Sequence, residues 1–218
     1  RDLAAILSTE KKKLEIVRRI YNHVTGSIRY VGFELGIGAL QPRSTDQTYH
    51  SRMGDCKDIA LVLAAMLREA GIDASIALVQ TRDRGKVNRS VPSTQGFNHA
   101  LCHVNLEGGF FLDGTLNNSS FRELPPEDRD IEALVVNEKS WSFINTGSPL
   151  YEESVDSAVT EVIMDAEGGA AFRRELFKRG NAAALARQDL RDVKKKERTL
   201  NEYWNRIFPG SSVNSLKV

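Results

Sequence analysis

Gly54-Asp55-Cys56-Lys57-Asp58-Ile59-Ala60-Leu61-Val62-Leu63-Ala64-Ala65-Met66-Leu67 decides how this chain is read. Ile59, Leu63, Met66, Leu67 and Ala70 share one helical face, and Leu61, Val62, Ala64 and Ala65 lie on the other side. A helix that is apolar nearly all round is a buried helix. Asp55, followed three residues later by Asp58, is a capping-box arrangement. The spacing therefore predicts a helix over 56–70, with Gly71 as its stop. Cys56 falls in the first turn, where unpaired N–H groups and the helix dipole favour a thiolate. The same N–H groups can stabilise an oxyanion. The ordinary fate of a cysteine is burial as an inert hydrophobe, and placement at a helix start argues against that fate.

Upstream, Leu14, Val17, Tyr21 and Val24 share a helical face, which predicts a helix over 10–25 with Ser8 or Thr9 as N-cap and Gly26 as stop. Residues 28–31 read as extended, 32–42 as a glycine-punctuated loop, and 45–53 as a polar approach to the cysteine. Downstream, 74–81 reads as a strand packed on the buried helix, and 82–97 as a mobile loop beside the site. Two strand-like runs, 98–105 and 109–114, flank Glu107-Gly108-Gly109 and read as a hairpin.

The hairpin carries the other chemical groups. On the first strand His99, Leu101 and His103 point one way, and Cys102 points the other. Asp113 stands on the second strand. A turn at 105–107 puts His99 opposite Asp113, and a turn at 107–109 puts His103 there. The glycines favour the second register slightly. Spacing alone leaves both histidines open, and a lone strand histidine is more often structural than catalytic. His99 follows the 82–97 loop at a strand end, where active-site residues tend to sit.

A boundary falls near 146–154, which predicts units of 1–148 and 149–218. In the second unit, 155–164 and 170–178 read as strands around Glu167-Gly168-Gly169. A long helix from about Asn181 follows, with the stripe Ala186, Leu190, Val193, Leu200, Trp204 and Ile207, and Pro209-Gly210 ends it. Residues 211–218 read as a further strand.

Bulk composition narrows the function classes. The 218 residues are 41% hydrophobic and 27% charged, an ordinary globular balance. With 30 basic and 29 acidic residues, the net charge of +1 provides no global field for nucleic acid or a membrane surface. No apolar run approaches the roughly 18 residues of a membrane span. Two cysteines make no disulfide framework. The first residue is Arg1 rather than Met, which suggests a fragment or a processed form of a longer chain. Lys11-Lys12-Lys13 and Lys194-Lys195-Lys196 read as solvated helix faces, and His23 and His50 as surface or capping residues. Tyr49 and Trp141 read as packing residues. Cys102-His103 cannot share a metal because their side chains diverge, so no metal is expected. Cys102 should point to the sheet face opposite His99, so Cys56 and Cys102 are not expected to form a redox pair.

Tyr49-x-x-Arg52-x-Gly54-Asp55-Cys56-x-Asp58, then Asn98-His99-Ala100, then Phe111-Leu112-Asp113-Gly114-Thr115, resembles the transglutaminase-like superfamily, in particular its bacterial branch of cysteine-protease type. The likeness covers about residues 10–135, and 150–218 more loosely. Gly114 stands where many members carry proline. The resemblance implies an α+β, papain-like core: a cysteine-bearing helix packed on an antiparallel sheet, with a smaller C-terminal α+β module. The bacterial branch also implies flanking domains in a longer chain. It implies Cys56 as nucleophile, His99 as base and then acid, and Asp113 as the residue that orients the imidazole. Gln41 is a candidate second oxyanion donor, as in papain-like enzymes; the plain alternative is a solvated loop residue. The implied reaction is acyl transfer from a peptide or protein substrate through a Cys56 thioester, with no cofactor. Water as acceptor makes a peptidase or amidase, the reading that the bacterial relatives of this type favour, and an amine makes a crosslinking transglutaminase, the alternative. A non-enzymatic binding module on the same fold is the third reading. Bacterial relatives of this type suggest an exported or cell-envelope location.

Overall fold

A computed structural model describes residues 2–32, 36–90, 93–116, 121–137, 139–148, 155–180, 182–183, 186–187 and 193–215. The chain divides into two units, 1–149 and 150–218. The first opens with α1 (Asp2–Thr9) and α2 (Lys13–Ser27). A two-residue strand, β1 (Arg29–Tyr30), comes next. Then come α3 (Thr45–Ser51), β2 (Met53–Gly54) and α4 (Cys56–Glu69). The remaining strands are β3 (Ala74–Val79), β4 (His99–Val104), β5 (Phe110–Leu112), β6 (Glu132–Val136) and β7 (Trp141–Asn145).

β1 and β2 pair in parallel. β3–β7 form one antiparallel sheet in the order β5-β4-β3-β6-β7. The unit is therefore α+β, with its helices on an antiparallel sheet, as the resemblance implied. The core lies between α2, α4 and one face of that sheet. Val17, Ile20 and Val24 of α2 meet Ile59, Val62, Leu63 and Leu67 of α4 and Cys102, Val104 and Leu112 of the sheet, all buried. The opposite sheet face holds a second apolar cluster of Ala77, Val79, Leu101, Phe111, Leu124, Ala133 and Val135. Alternate β4 residues thus serve opposite layers. Cys102 lies in the first and is fully buried.

Several local expectations need correction. α2 begins at Lys13 after Lys12, with no side-chain cap. Ser8 and Thr9 instead close α1, their hydroxyls donating to the carbonyls of Ala5 and Ile6. Gly26 does not stop α2, which runs on to Ser27. The polar stretch before the cysteine contains a helix, α3, capped by Ser44, whose hydroxyl accepts from Gln47 N at 3.2 Å. Its apolar face is short, with Thr48 as the buried side chain, so periodicity did not signal it. Trp141 is 69% exposed and is no core packing residue.

Gly114 has a steric explanation. A Cβ built there runs into Ile59 Cγ2 and lies 3.0 Å from Leu63 Cδ1. The segment after Asp113 therefore lies directly against the cysteine-bearing helix, and a side chain would push them apart. Gly114→Ala is expected to cost about 1–3 kcal/mol through overpacking, read as a lowered urea midpoint. A midpoint equal to wild type would show that the helix yields freely.

The second unit contains a hairpin of β8 (Asp156–Met164) and β9 (Ala170–Lys178) and a helix, α5 (Val193–Ile207). Phe172 stacks on Trp204 and Phe208, at 6.3 and 5.3 Å between ring centroids. Residues 211–215 lie in no strand, contrary to expectation. The expected helix start at Asn181, the stripe residue Leu190, most of the 146–154 boundary and residues 216–218 fall outside the described residues. Among the described residues, no helix is long and apolar enough to cross a membrane.

Candidate active site

Cys56 is the first residue of α4 and is partly exposed. Its position is fixed by the cap beneath it. Asp55 Oδ1 accepts from Asp58 N, and Asp58 Oδ2 accepts from Asp55 N, both at 3.3 Å. This is the capping box expected from the sequence. Lys57 pairs with Asp55. Asp58 also accepts from Arg43, whose backbone N reaches Oδ1 at 2.7 Å and whose Nε reaches Oδ2 at 2.9 Å. The same guanidinium donates to the Met53 carbonyl. Gly54 is required by close packing, because a Cβ there would lie 2.9 Å from Thr48 Cγ2 and 3.0 Å from Asp58 Cβ. The start of α4 is thus held from the strand before it, from the 36–44 loop and from the segment after Asp113.

His99 is the first residue of β4. Asn98, just before it, ties the strand entry to the end of β3. Its side-chain oxygen accepts from Thr81 N at 2.9 Å and its amide donates to Thr81 Oγ1 at 2.8 Å. The hairpin register is neither of the two that spacing offered. Cys102 pairs with Leu112, His103 with Phe111 and Val104 with Phe110. In this register Asp113 comes just after β5, on the face shared by His99 and Leu101. The His99 Nε2 lies 3.6 Å from Asp113 Oδ1. His103 is elsewhere: its ring packs on Phe111 with centroids 4.9 Å apart, and burial lowers its pKa.

Asp113 is buried and well supplied with donors. Its Oδ1 accepts from Thr115 N at 2.8 Å and Thr115 Oγ1 at 2.7 Å. Its backbone carbonyl accepts from the buried Tyr21 hydroxyl at 2.9 Å. Sequence reasoning missed a second carboxylate, Asp128, which closes the short 3-10 turn Pro126–Asp128. Its Oδ2 lies 3.5 Å from the same His99 Nε2, and its side chain is as buried as that of Asp113. No motif marks it, and the two prolines ahead of it signal only a turn.

The charges follow from this geometry. Burial disfavours the imidazolium, but Asp113, the Cys56 side chain and the charge of Asp128 outweigh it and lift His99 to about 11. Burial likewise opposes ionisation of Asp113, yet His99 and the Thr115 donors hold it below the usual carboxylate range. Burial pushes Asp128 up to about 7; His99 opposes the rise, and the like charges of Asp113, Glu127 and Asp83 add to it. His99, Asp113 and Asp128 each offer one ligand atom, all within 4.8 Å of one another. That is compact enough for a cation, but the imidazolium already supplies the counter-charge to the carboxylates.

The remaining candidates separate cleanly. Gln41 is exposed, two residues before the Arg43 anchor, and the contact with the first turn of α4 is made by Arg43. Cys56 and Cys102 are both free thiols, and burial pushes Cys102 up to about 12. His23 shares a hydrogen bond of 2.7 Å with the Tyr49 hydroxyl, and exposed His50 bonds the Asp46 carbonyl at 2.8 Å.

The family model of the transglutaminase-like superfamily matches residues 1–113, a stretch that contains Cys56, His99 and Asp113. No curated protein matches the chain. Among solved structures, the crystal structure of a "putative protease" from Parabacteroides distasonis is similar at 16% identity and a TM-score of 0.49. The match covers 77% of this chain and 33% of that one, so the chain spans about a third of that protein's length.

Proposed function

Because the chain belongs to the transglutaminase-like superfamily, a superfamily of cysteine-dependent acyl transfer, we propose that it hydrolyses amide or peptide bonds through a thioester on Cys56. One observation carries the reading: His99 has the Cys56 side chain and two buried carboxylates as its electrostatic partners. In the proposed first step the Cys56 sulfur attacks the substrate carbonyl carbon. The C–N bond then breaks as His99 gives its proton to the departing amine. In the second step His99 takes a proton from water, which attacks the thioester carbon. The C–S bond breaks, releasing the carboxylic acid and leaving the proton shared by Cys56 and His99 as at the start. Asp113 orients the ring and stabilises its charged form. The Cys56 backbone N–H, in a helical first turn that lacks intrahelical partners, supports the oxyanion. The Gln41 side-chain amide is the proposed second donor. Water is the proposed acceptor on the likeness of the sequence to the protease-type bacterial branch.

The test uses a peptide and amide library in heavy-oxygen water, with and without a primary amine, read by mass spectrometry. The expected product is a free carboxylate carrying the heavy oxygen, formed by wild type and not by Cys56→Ala. Products found only as amine adducts would replace hydrolysis by crosslinking. No product in either protein, with Cys56 alkylated no faster than in the unfolded chain, would favour the binding module.

A further inference from the structure

We infer that Asp128 is a positioning residue, a second carboxylate that together with Asp113 clamps the Nε2 edge of His99 and so turns the other ring nitrogen toward Cys56. This rests on the reading above that His99 serves Cys56. The two carboxylates approach Nε2 almost equally, at 3.5 and 3.6 Å, from different parts of the chain. One contact leaves an imidazole free to tilt about it; two contacts from separate elements fix the ring plane.

Burial makes the placement costly enough to need a reason. Asp128 is 1% exposed, and burying a carboxylate is expensive unless it is paired. Its Oδ1 is buried with no hydrogen-bond partner among the described residues. Of the charged groups that act on it, His99 is the cation; Asp113, Glu127 and Asp83 are like charges. The carboxylate therefore gains little from any neighbour but His99. Asp113, by contrast, divides its Oδ1 between His99 and two Thr115 donors.

The turn that presents Asp128 is stiff. Pro125 and Pro126 restrict φ in its first half. Asp128 N donates to the Pro125 carbonyl at 3.0 Å. Arg129 Nε donates to the Leu124 carbonyl at 2.7 Å, and Arg82 donates to the Arg129 carbonyl. A rigid mount suits a group that sets an orientation.

The experiment compares wild type with Asp128→Asn, using turnover and NMR titration of the labelled histidine rings in the full chain. Asp128→Asn is expected to lower kcat roughly tenfold with KM unchanged, the pattern of a lost transition-state interaction. The His99 midpoint should fall by about one pH unit or more, as removal of a nearby opposite charge requires. An unmoved His99 midpoint with unchanged kcat overturns the clamp. A shifted midpoint in Asp128→Asn, with wild type itself showing no turnover and an unreactive Cys56, supports the clamp and overturns the hydrolase reading. Should Asp128→Asn fail to fold, Asp113→Asn in a Cys56→Ala background decides, because the Cys56 side chain also raises His99: a His99 midpoint still above the ordinary histidine value supports Asp128 as second partner, and a return to that value overturns it.

Discussion

His99→Ala alkylates at Cys56 about 10²-fold or more slower than wild type at neutral pH, and its turnover falls by about 10²–10⁴-fold. Iodoacetamide labelling followed by peptide mass spectrometry measures the first effect without a known substrate. The label reports one thiol, because Cys102 is fully buried with its pKa pushed up to about 12. Equal labelling of both proteins would defeat the assignment of His99 as the activating base. The wild-type pH profile carries a second signature. His99 is raised to about 11, so the imidazolium needed by the leaving amine persists through neutral pH and is lost only as pH rises toward that value. The alkaline limb of kcat/KM should lie well above that of an ordinary histidine and move down in Asp113→Asn. Stability follows the same sign. The His99 contribution is fully present below about 6.5 and disappears as pH rises through about 11. The Asp113 contribution has the opposite window, present above the usual carboxylate value and lost as pH falls through its depressed one.

Asp58→Ala loses about 3 kcal/mol of unfolding free energy or more, since hydrogen bonds to a charged group contribute about 1.5–3 kcal/mol each. Asp58 accepts from Arg43 N, Arg43 Nε and Asp55 N, and it is 2% exposed. Its removal opens the capping box and takes from Arg43 both hydrogen bonds it donates to this carboxylate. Urea unfolding of Asp58→Ala against Asp46→Ala, an exposed aspartate on α3, gives the comparison. A loss below about 0.5 kcal/mol, the usual range for surface changes, would show that α4 does not depend on this anchor. The same variant should slow Cys56 alkylation, because the first turn carries the thiol.

The cysteine helix was legible because local rules agree there. Apolar residues on all sides, a capping box and a glycine stop describe one buried helix, and α4 runs Cys56–Glu69. The hairpin was legible as a hairpin but not in register. Glu107, Gly108 and Gly109 all take positive φ, at 52°, 87° and 89°, and a glutamate is not the residue that turn rules place there. The pairing centres between the two registers that spacing offered. This register brings Asp113 to His99 and leaves His103 against Phe111, a choice that residue counting could not make. α3 was hidden because a short polar helix has no stripe, and its stop is Arg52 in a left-handed conformation rather than a glycine. Asp128 was hidden for another reason. Its partner is His99, and only the folded sheet brings them together.

The Tyr21 hydroxyl bonds the Asp113 carbonyl across 92 residues of sequence. That separation has a consequence for biosynthesis. The groups around His99 come from positions 56, 99, 113 and 128, so a nascent chain carries its cysteine long before the partners of His99 have been made. Non-local contacts of this kind form late, after the loops between them have closed. On the proposed reading the site would mature only when the chain has been synthesised past Asp128, and a ribosome-bound intermediate stopped short of that point would lack one of the two carboxylates beside His99.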